Sequence, residues 1–422
     1  MKFYKFGVVV IIFFVVFSYC SCVFADDEDF ETLNDFFPYV EASSNVSDVP
    51  VINSRAAVVY DRASGSILFG KNENDCRKMA STTKIMTALV VIENCKLNDL
   101  VIVSAKAAGT GGSRLGLHKN DKISVMDLLY GLLLCSGNDA AVALAEYVGG
   151  DVSGFAELMN KKAISLGLSS THFVTPHGLD NDNHFTTAYE LALITDYALE
   201  NDTFCKFVGT KNYTVTINGY PKSLSNTNEL LGNLDGVYGV KTGFTNGANR
   251  CLVTAIERND MDLICVVLGA DTKKDRTKDS IELIEYAFNN FKLFNIKDMV
   301  LKEFENWKLC NSSSFHIDKG CSNNLQLYLE NFPFDFFPIN SNFFDDFSIY
   351  IYCDYNLKAP LKNDTVIGYL TVSVHDKTIL TLNIMNSNSV FQKKCKDFLL
   401  DMFKNYSYHL ESLLYNNNFF TY

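Results

Sequence analysis

Between residues 56 and 292 the apolar residues of this chain change period twice. Ala56-Ala-Val-Val-Tyr60 and Ser66-Ile-Leu-Phe69 are short apolar runs around Asp61-Arg-Ala-Ser-Gly65, which predicts an opening hairpin. A helix is predicted from Ser81 to Glu93, because Ile85, Ala88, Leu89 and Ile92 recur at helical spacing. Residues 125–134, 139–147, 151–166 and 187–199 read as further helices. Strand-like runs then return at 235–242, 251–257 and 262–270, separated by Gly/Asn turns, with Lys241 expected near the end of the first. A helix over 280–291 closes the segment. Helices bracketed by strands from both ends predict an α+β class, an antiparallel sheet with helices on both faces, over residues 49–292.

The composition changes after about residue 293. Short alternating runs such as Phe347-Ser-Ile-Tyr-Ile-Tyr352 and Thr365-Val-Ile-Gly-Tyr-Leu-Thr-Val-Ser-Val374 predict a separate small all-β module over 298–388. In the tail, 389–422, Phe398, Leu399, Met402, Phe403, Tyr406, Leu410, Leu413 and Leu414 form a stripe suited to one helical face. Such a helix can lie on a membrane surface or pack on its own domain.

The N-terminus carries Lys2 and Lys5, an apolar stretch from Phe6 to Phe17, and Val23-Phe-Ala25 before the acidic run Asp26-Asp-Glu-Asp29. That is the layout of a secretory signal cut after Ala25, and the alternative is an uncleaved anchor of similar length. Either form places the body of the protein outside the cytoplasm. Residues 26–48 are acidic and Ser/Asn-rich, as a spacer would be. The formal charge is -12; losing Lys2 and Lys5 with the signal takes 37 basic residues to 35 against 49 acidic, net -14, which argues against nucleic acid as a partner. Ten of twelve cysteines remain in the mature chain without the close pairs of a zinc site. Cys310 and Cys321, flanking a polar loop, are the candidate disulfide. The spacing of His172, His177 and His184 fits no common zinc motif, so neither a metal nor another cofactor is expected.

Chemistry concentrates in three motifs. Ser81-Thr-Thr-Lys84 places a hydroxyl and an amine three residues apart, on neighbouring turns of one helix face. A serine needs a base to accept its proton, and Lys84 serves only if uncharged. Burial at a helix N-terminus and a second amine nearby, Lys241, both favour that form. Ser136-Gly137-Asn138 falls on the break between two predicted helices. Ser136 is a candidate proton relay, and Asn138 offers an amide to hold Lys84 and the substrate backbone. Lys241-Thr242-Gly243 ends a strand that forms a wall of the cleft. Gly243 allows close approach, the Phe244 amide pairs with that of Ser81 as a candidate oxyanion hole, and Thr242, Thr245 and Lys241 can receive a substrate carboxylate.

The triple Ser-x-x-Lys, Ser-x-Asn and Lys-Thr-Gly resembles that of the penicillin-recognising serine enzymes. The flanking segments Ala80-Ser-Thr-Thr-Lys-Ile-Met-Thr-Ala88, Thr171-His-Phe-Val-Thr-Pro-His-Gly-Leu179, His184-Phe-Thr-Thr-Ala-Tyr189 and Lys241-Thr-Gly-Phe-Thr245 resemble the low-molecular-mass D-alanyl-D-alanine carboxypeptidases over about residues 50–292. Leu357-Lys-Ala-Pro-Leu-Lys-Asn-Asp-Thr-Val-Ile-Gly-Tyr-Leu370 resembles that family's C-terminal β domain. The resemblance implies a Ser81 acyl-enzyme formed from a peptidoglycan stem peptide, release of the terminal D-Ala and hydrolysis by water, with β-lactams trapping Ser81. One departure is Asn249, where the family usually has Gly before the position of Arg250. A class A-like β-lactamase shares the triple but uses an additional Glu, and 171–179 contains none. A catalytically silent wall-binding protein would not need every side chain of the three motifs.

Overall fold

A computed structural model describes residues 49–341, 347–374 and 377–416, with side chains to 412. The predicted signal (1–25) and spacer (26–48) lie outside the described residues. The chain divides into two compact units, to Asn290 and from Phe291.

The first unit is built on a five-stranded antiparallel sheet. In chain order its strands are β1 (Ala56–Asp61), β2 (Ile67–Lys71), β3 (Val237–Thr245), β4 (Asn249–Arg258) and β5 (Met261–Ala270). Their order across the sheet is β2-β1-β5-β4-β3. The N-terminal hairpin thus supplies one edge, and the strand carrying Lys241 the other. Val58 pairs with Val266, and Val253 pairs with both Val266 and Lys241.

Side chains alternate across the sheet. Ala56, Val58 and Tyr60 join one large core with Ile264, Val266 and Leu268. The intervening Cys265 faces the other way, its thiol 3.9 Å from the Ser280 carbonyl of helix Lys273–Asn290. Helices therefore cover both faces.

The large core is helical. It contains α1 (Lys84–Asn94), α2 (Val125–Leu133), α3 (Asn138–Gly149), α4 (Val152–Ser165) and α5 (Ala188–Leu199). Every residue of α1 from Lys84 to Val91 is buried, the mark of a helix enclosed on all sides. Ser124, Asp151 and Thr187 cap α2, α4 and α5 by accepting from the amides of Asp127, Gly154 and Glu190. Helix α3 lacks such a cap, and its first amide donates to the Ser113 carbonyl instead.

Three local expectations are corrected. Ser81 does not open the α-helix but sits in a 3-10 turn, Ala80–Thr83, held by Thr82 and Thr83 hydroxyls donating to the Met79 and Ala80 carbonyls. Lys241 lies inside β3, which continues to Thr245 through pairing with Asn249. The closing helix, α6, begins earlier, at Lys273, because its first turns carry charged residues that hide the apolar period. Hairpin Asn212–Ile217/Tyr220–Ser225 was not marked by the apolar pattern, since most of it is exposed.

The second unit opens with the short strand Phe291–Asn295, paired with Phe336–Asn340, and continues into a helix, α7 (Ile296–Asn311), whose Ile296, Val300 and Phe304 enter a small core. Its four-stranded antiparallel sheet contains β6 (Leu327–Leu329), β7 (Phe347–Cys353), β8 (Val366–Val374) and β9 (Lys377–Asn386), ordered β6-β9-β8-β7. Cys310 and Cys321 are exposed free thiols, so the candidate disulfide is absent. The tail forms α8 (Cys395–Asn416), with Phe398, Leu399, Met402, Phe403 and Tyr406 exposed. Among the described residues no helix is long and apolar enough to cross a membrane.

Candidate active site

The site forms where the turn before α1, the start of α3 and strand β3 meet. Ala80 adopts φ +48°, a left-handed conformation that a side chain disfavours. It lifts Ser81 out of the helix, so that Ser81 is partly exposed while Lys84 behind it is fully buried. The Lys84 Nζ lies 2.8 Å from the Ser81 Oγ.

Two carbonyl oxygens share that amine. Lys84 donates to Asn138 Oδ1 at 2.8 Å and to the His177 carbonyl at 3.0 Å. The Asn138 amide is oriented by its own Nδ2, which donates to the Gly111 carbonyl at 2.8 Å. A neutral amine has two N–H groups and one lone pair. In that form its lone pair can take the Ser81 proton across the 2.8 Å contact, while the two carbonyls accept from the amine.

Asn138 is held in turn by its neighbour. The buried Asp139 carboxylate accepts from the amides of Leu115, Gly116 and Leu117 at 2.7–2.9 Å, pinning the loop that includes Gly111 and Ser113 against α3. Ser136 has φ +59°, and its buried Oγ has no hydrogen-bond partner among the described residues. An unpartnered buried hydroxyl is costly unless something occupies it in the working state. Next to it, burial pushes the Cys135 thiol up to about 11, with Asp139 adding to the effect. That shift favours the protonated thiol, the weakly nucleophilic form.

Strand β3 runs directly beside the nucleophile. A Cβ on Gly243 would stand 3.1 Å from the Ser81 amide nitrogen and 3.2 Å from the Ala80 Cβ, tighter than ordinary contact. Lys241 is 1 % exposed and donates to the Thr242 carbonyl at 2.9 Å. Thr242 and Thr227 hydroxyls lie 2.8 Å apart, and the Thr227 amide donates to Leu134 at the end of α2. Phe244 carries the Arg250 guanidinium over its ring at 3.8 Å. The Thr245 hydroxyl donates to Asp180 at 2.7 Å, and the Gly247 amide donates to the same carboxylate at 2.9 Å. Asn249 has φ +58°. Its position demands a left-handed residue, which Gly supplies freely and Asn tolerates best among the others.

The structure thus brings Ser81, Lys84 and Asn138 into one hydrogen-bonded group and sets Gly243 against it. Asp139, Asp180, the His177 carbonyl, Gly178 and Thr227 also build the site, and none was singled out for a role from sequence. Only Asp139, just before the apolar run Ala140-Ala-Val-Ala-Leu144, stands out locally; Asp180 and Thr227 lie in polar segments that read as loops. Arg276 on α6 is 2 % exposed and ion-paired with Glu229 at 3.3 Å, a burial that the charged run around it in the sequence conceals.

The family model described as D-alanyl-D-alanine carboxypeptidase matches residues 43–272. D-alanyl-D-alanine carboxypeptidase DacA of Haemophilus influenzae is 34 % identical over 352 residues, 81 % of this chain and 86 % of that protein. The chain belongs to the D-alanyl-D-alanine carboxypeptidase family. It is a low-molecular-mass penicillin-binding protein with the α+β architecture of that group. DacF of Bacillus subtilis is 38 % identical over 244 residues, 56 % of this chain, and the match spans only 63 % of that relative's length. Among solved structures, penicillin binding protein 5 from Haemophilus influenzae superposes with a TM-score of 0.68 at 30 % identity, covering 82 % of this chain and all of that one.

Proposed function

We propose that the chain is a serine D,D-carboxypeptidase that removes the terminal D-Ala from peptidoglycan stem pentapeptides. The observation that carries this is the Lys84 amine, fully buried and 2.8 Å from the Ser81 hydroxyl, in a chain whose relatives are described as D-alanyl-D-alanine carboxypeptidases.

Ser81 Oγ gives its proton to Lys84 and attacks the carbonyl carbon of the penultimate D-Ala. The amides of Ser81 and Phe244 receive the developing oxyanion. Ser136, whose hydroxyl has no partner among the described residues, relays a proton to the departing D-Ala amine. Water then attacks the acyl-enzyme and restores Ser81. Lys241 and Thr242 receive the terminal carboxylate, as does Thr245 once its proton turns from Asp180. Asn138 holds Lys84 and meets the peptide backbone. β-Lactams follow the same first step and stop at the acyl-enzyme.

The substrate is extracytoplasmic, so the N-terminal segment is read as an export signal. Helix α8, with its apolar side chains uncovered, is read as a contact with the membrane surface. Comparing membrane fractions of the full chain and one ending at residue 392 tests that contact, and equal partition excludes it.

Mass mapping of a penicillin adduct tests the enzymatic reading. The account expects one acyl group on Ser81 that decays over many minutes or longer. An adduct elsewhere contradicts it, and rapid turnover favours a β-lactamase.

A further inference from the structure

His184 lies outside the set of residues assigned above, yet it is only 2 % exposed and touches the turn that carries the nucleophile. Its Nδ1 accepts from the amides of Val174 and Thr175 at 2.9 and 3.4 Å. An amide only donates, so Nδ1 carries no proton, and a neutral ring then has its proton on Nε2. Nε2 lies 2.8 Å from the Thr83 hydroxyl. That hydroxyl donates onward to the Ala80 carbonyl at 2.8 Å. Every donor in the chain His184 Nε2–H, Thr83 Oγ–H, Ala80 C=O therefore points the same way.

Two features make the end of this chain matter. Ala80 holds the left-handed backbone that presents Ser81, a conformation that persists only when its surroundings fix it. The loop tied down by Nδ1 is the one that supplies the His177 carbonyl to Lys84 and sets Gly178 against the Ala80 carbonyl. Burial, with His172 nearby, draws the ring down to about 4, in keeping with a neutral imidazole.

We propose that His184 is a positioning residue for acylation: in its Nε2–H tautomer it braces the 171–179 loop against Thr83 and so fixes the Ala80 carbonyl, the Ser81 backbone and the Lys84 amine in register. The proposal rests on the serine carboxypeptidase reading and concerns how that site is held, not what it binds.

The test uses the full chain. His184→Phe keeps a ring and removes both nitrogens, His184→Gln keeps a donor toward Thr83, and Thr83→Val removes the hydroxyl. The loss of one buried link in a polar network corresponds to a fall in kcat of roughly ten- to hundredfold. We expect that fall for His184→Phe with KM changed less than about threefold, partial recovery in His184→Gln, and no additive loss in the Phe/Val double variant. Native rates of acylation in a folded His184→Phe variant, or additive losses, overturn the proposal. A second measurement needs no variant: nitrogen NMR of the native chain, labelled at histidine, is expected to show His184 protonated at Nε2 and bare at Nδ1 at neutral pH. A proton on Nδ1 overturns the proposal. Failure of the native chain to release D-Ala would instead count against the carboxypeptidase reading alone.

Discussion

Gly178 packs against Ala80 so closely that a Cβ built on it would stand 1.8 Å from the Ala80 carbonyl oxygen and 2.6 Å from the Thr83 Oγ1. Its φ of +85° adds backbone strain for any other residue. Gly219 has nearly the same φ, +82°, but nothing lies within 4 Å of its would-be Cβ. The pair separates strain from crowding. Gly219→Ala is expected to cost about 1–2 kcal/mol with acylation intact. Gly178→Ala adds an overpacking cost of about 1–3 kcal/mol and should also lose most penicillin labelling, because relief requires Ala80 to move. Urea unfolding and gel labelling read the two effects; equal behaviour of both variants contradicts this view of the turn.

Asn138 offers a second test, since its Oδ1 is one of the acceptors for the buried Lys84 amine. Asn138→Asp preserves shape but places a carboxylate there, which favours the charged form of the adjacent amine. Acylation at neutral pH should fall by about a hundredfold, and the rising limb of its pH profile should move to higher pH. An unchanged profile contradicts the assignment of Lys84 as proton acceptor.

Two buried histidines link this site to acid stability. Burial draws His177 down to about 3 and His184 down to about 4, against an ordinary value of 6.5. Both are neutral when folded at pH 5, whereas their unfolded counterparts are protonated. The unfolded state therefore binds more protons below pH 6.5, and stability falls as pH drops toward 4. Each histidine contributes about 1.4 kcal/mol per pH unit in that window. Unfolding free energies at pH 7.5 and 5.0 should differ by about 4 kcal/mol from the two together, with roughly half of that removed in His184→Gln. No reduction of the difference in that variant contradicts the buried neutral state.

Much of the architecture is legible in the sequence because the period of apolar residues reports burial directly. The β1–β2 hairpin, helices α1 to α5 and the pairing of β3, β4 and β5 follow from it. So does the i, i+3 approach of Ser81 and Lys84. What stays hidden depends on backbone conformation and distant polar contacts. Nothing in the letters around Ala80 announces a left-handed residue, yet that φ decides how Ser81 is presented. Asn249 reads as a departure from the family pattern until its φ of +58° shows a position that Gly or Asn can fill. Asp139 makes three amide contacts across more than 20 residues of sequence, which no local pattern encodes.

The central claim is that Ser81, activated by Lys84, cleaves a D-Ala-D-Ala bond, and the most direct measurement is free D-Ala released from a pentapeptide ending in D-Ala-D-Ala. The account predicts steady release by the native chain and none above background by a folded Ser81→Ala variant. No release by the native chain, or equal release by the variant, would contradict it.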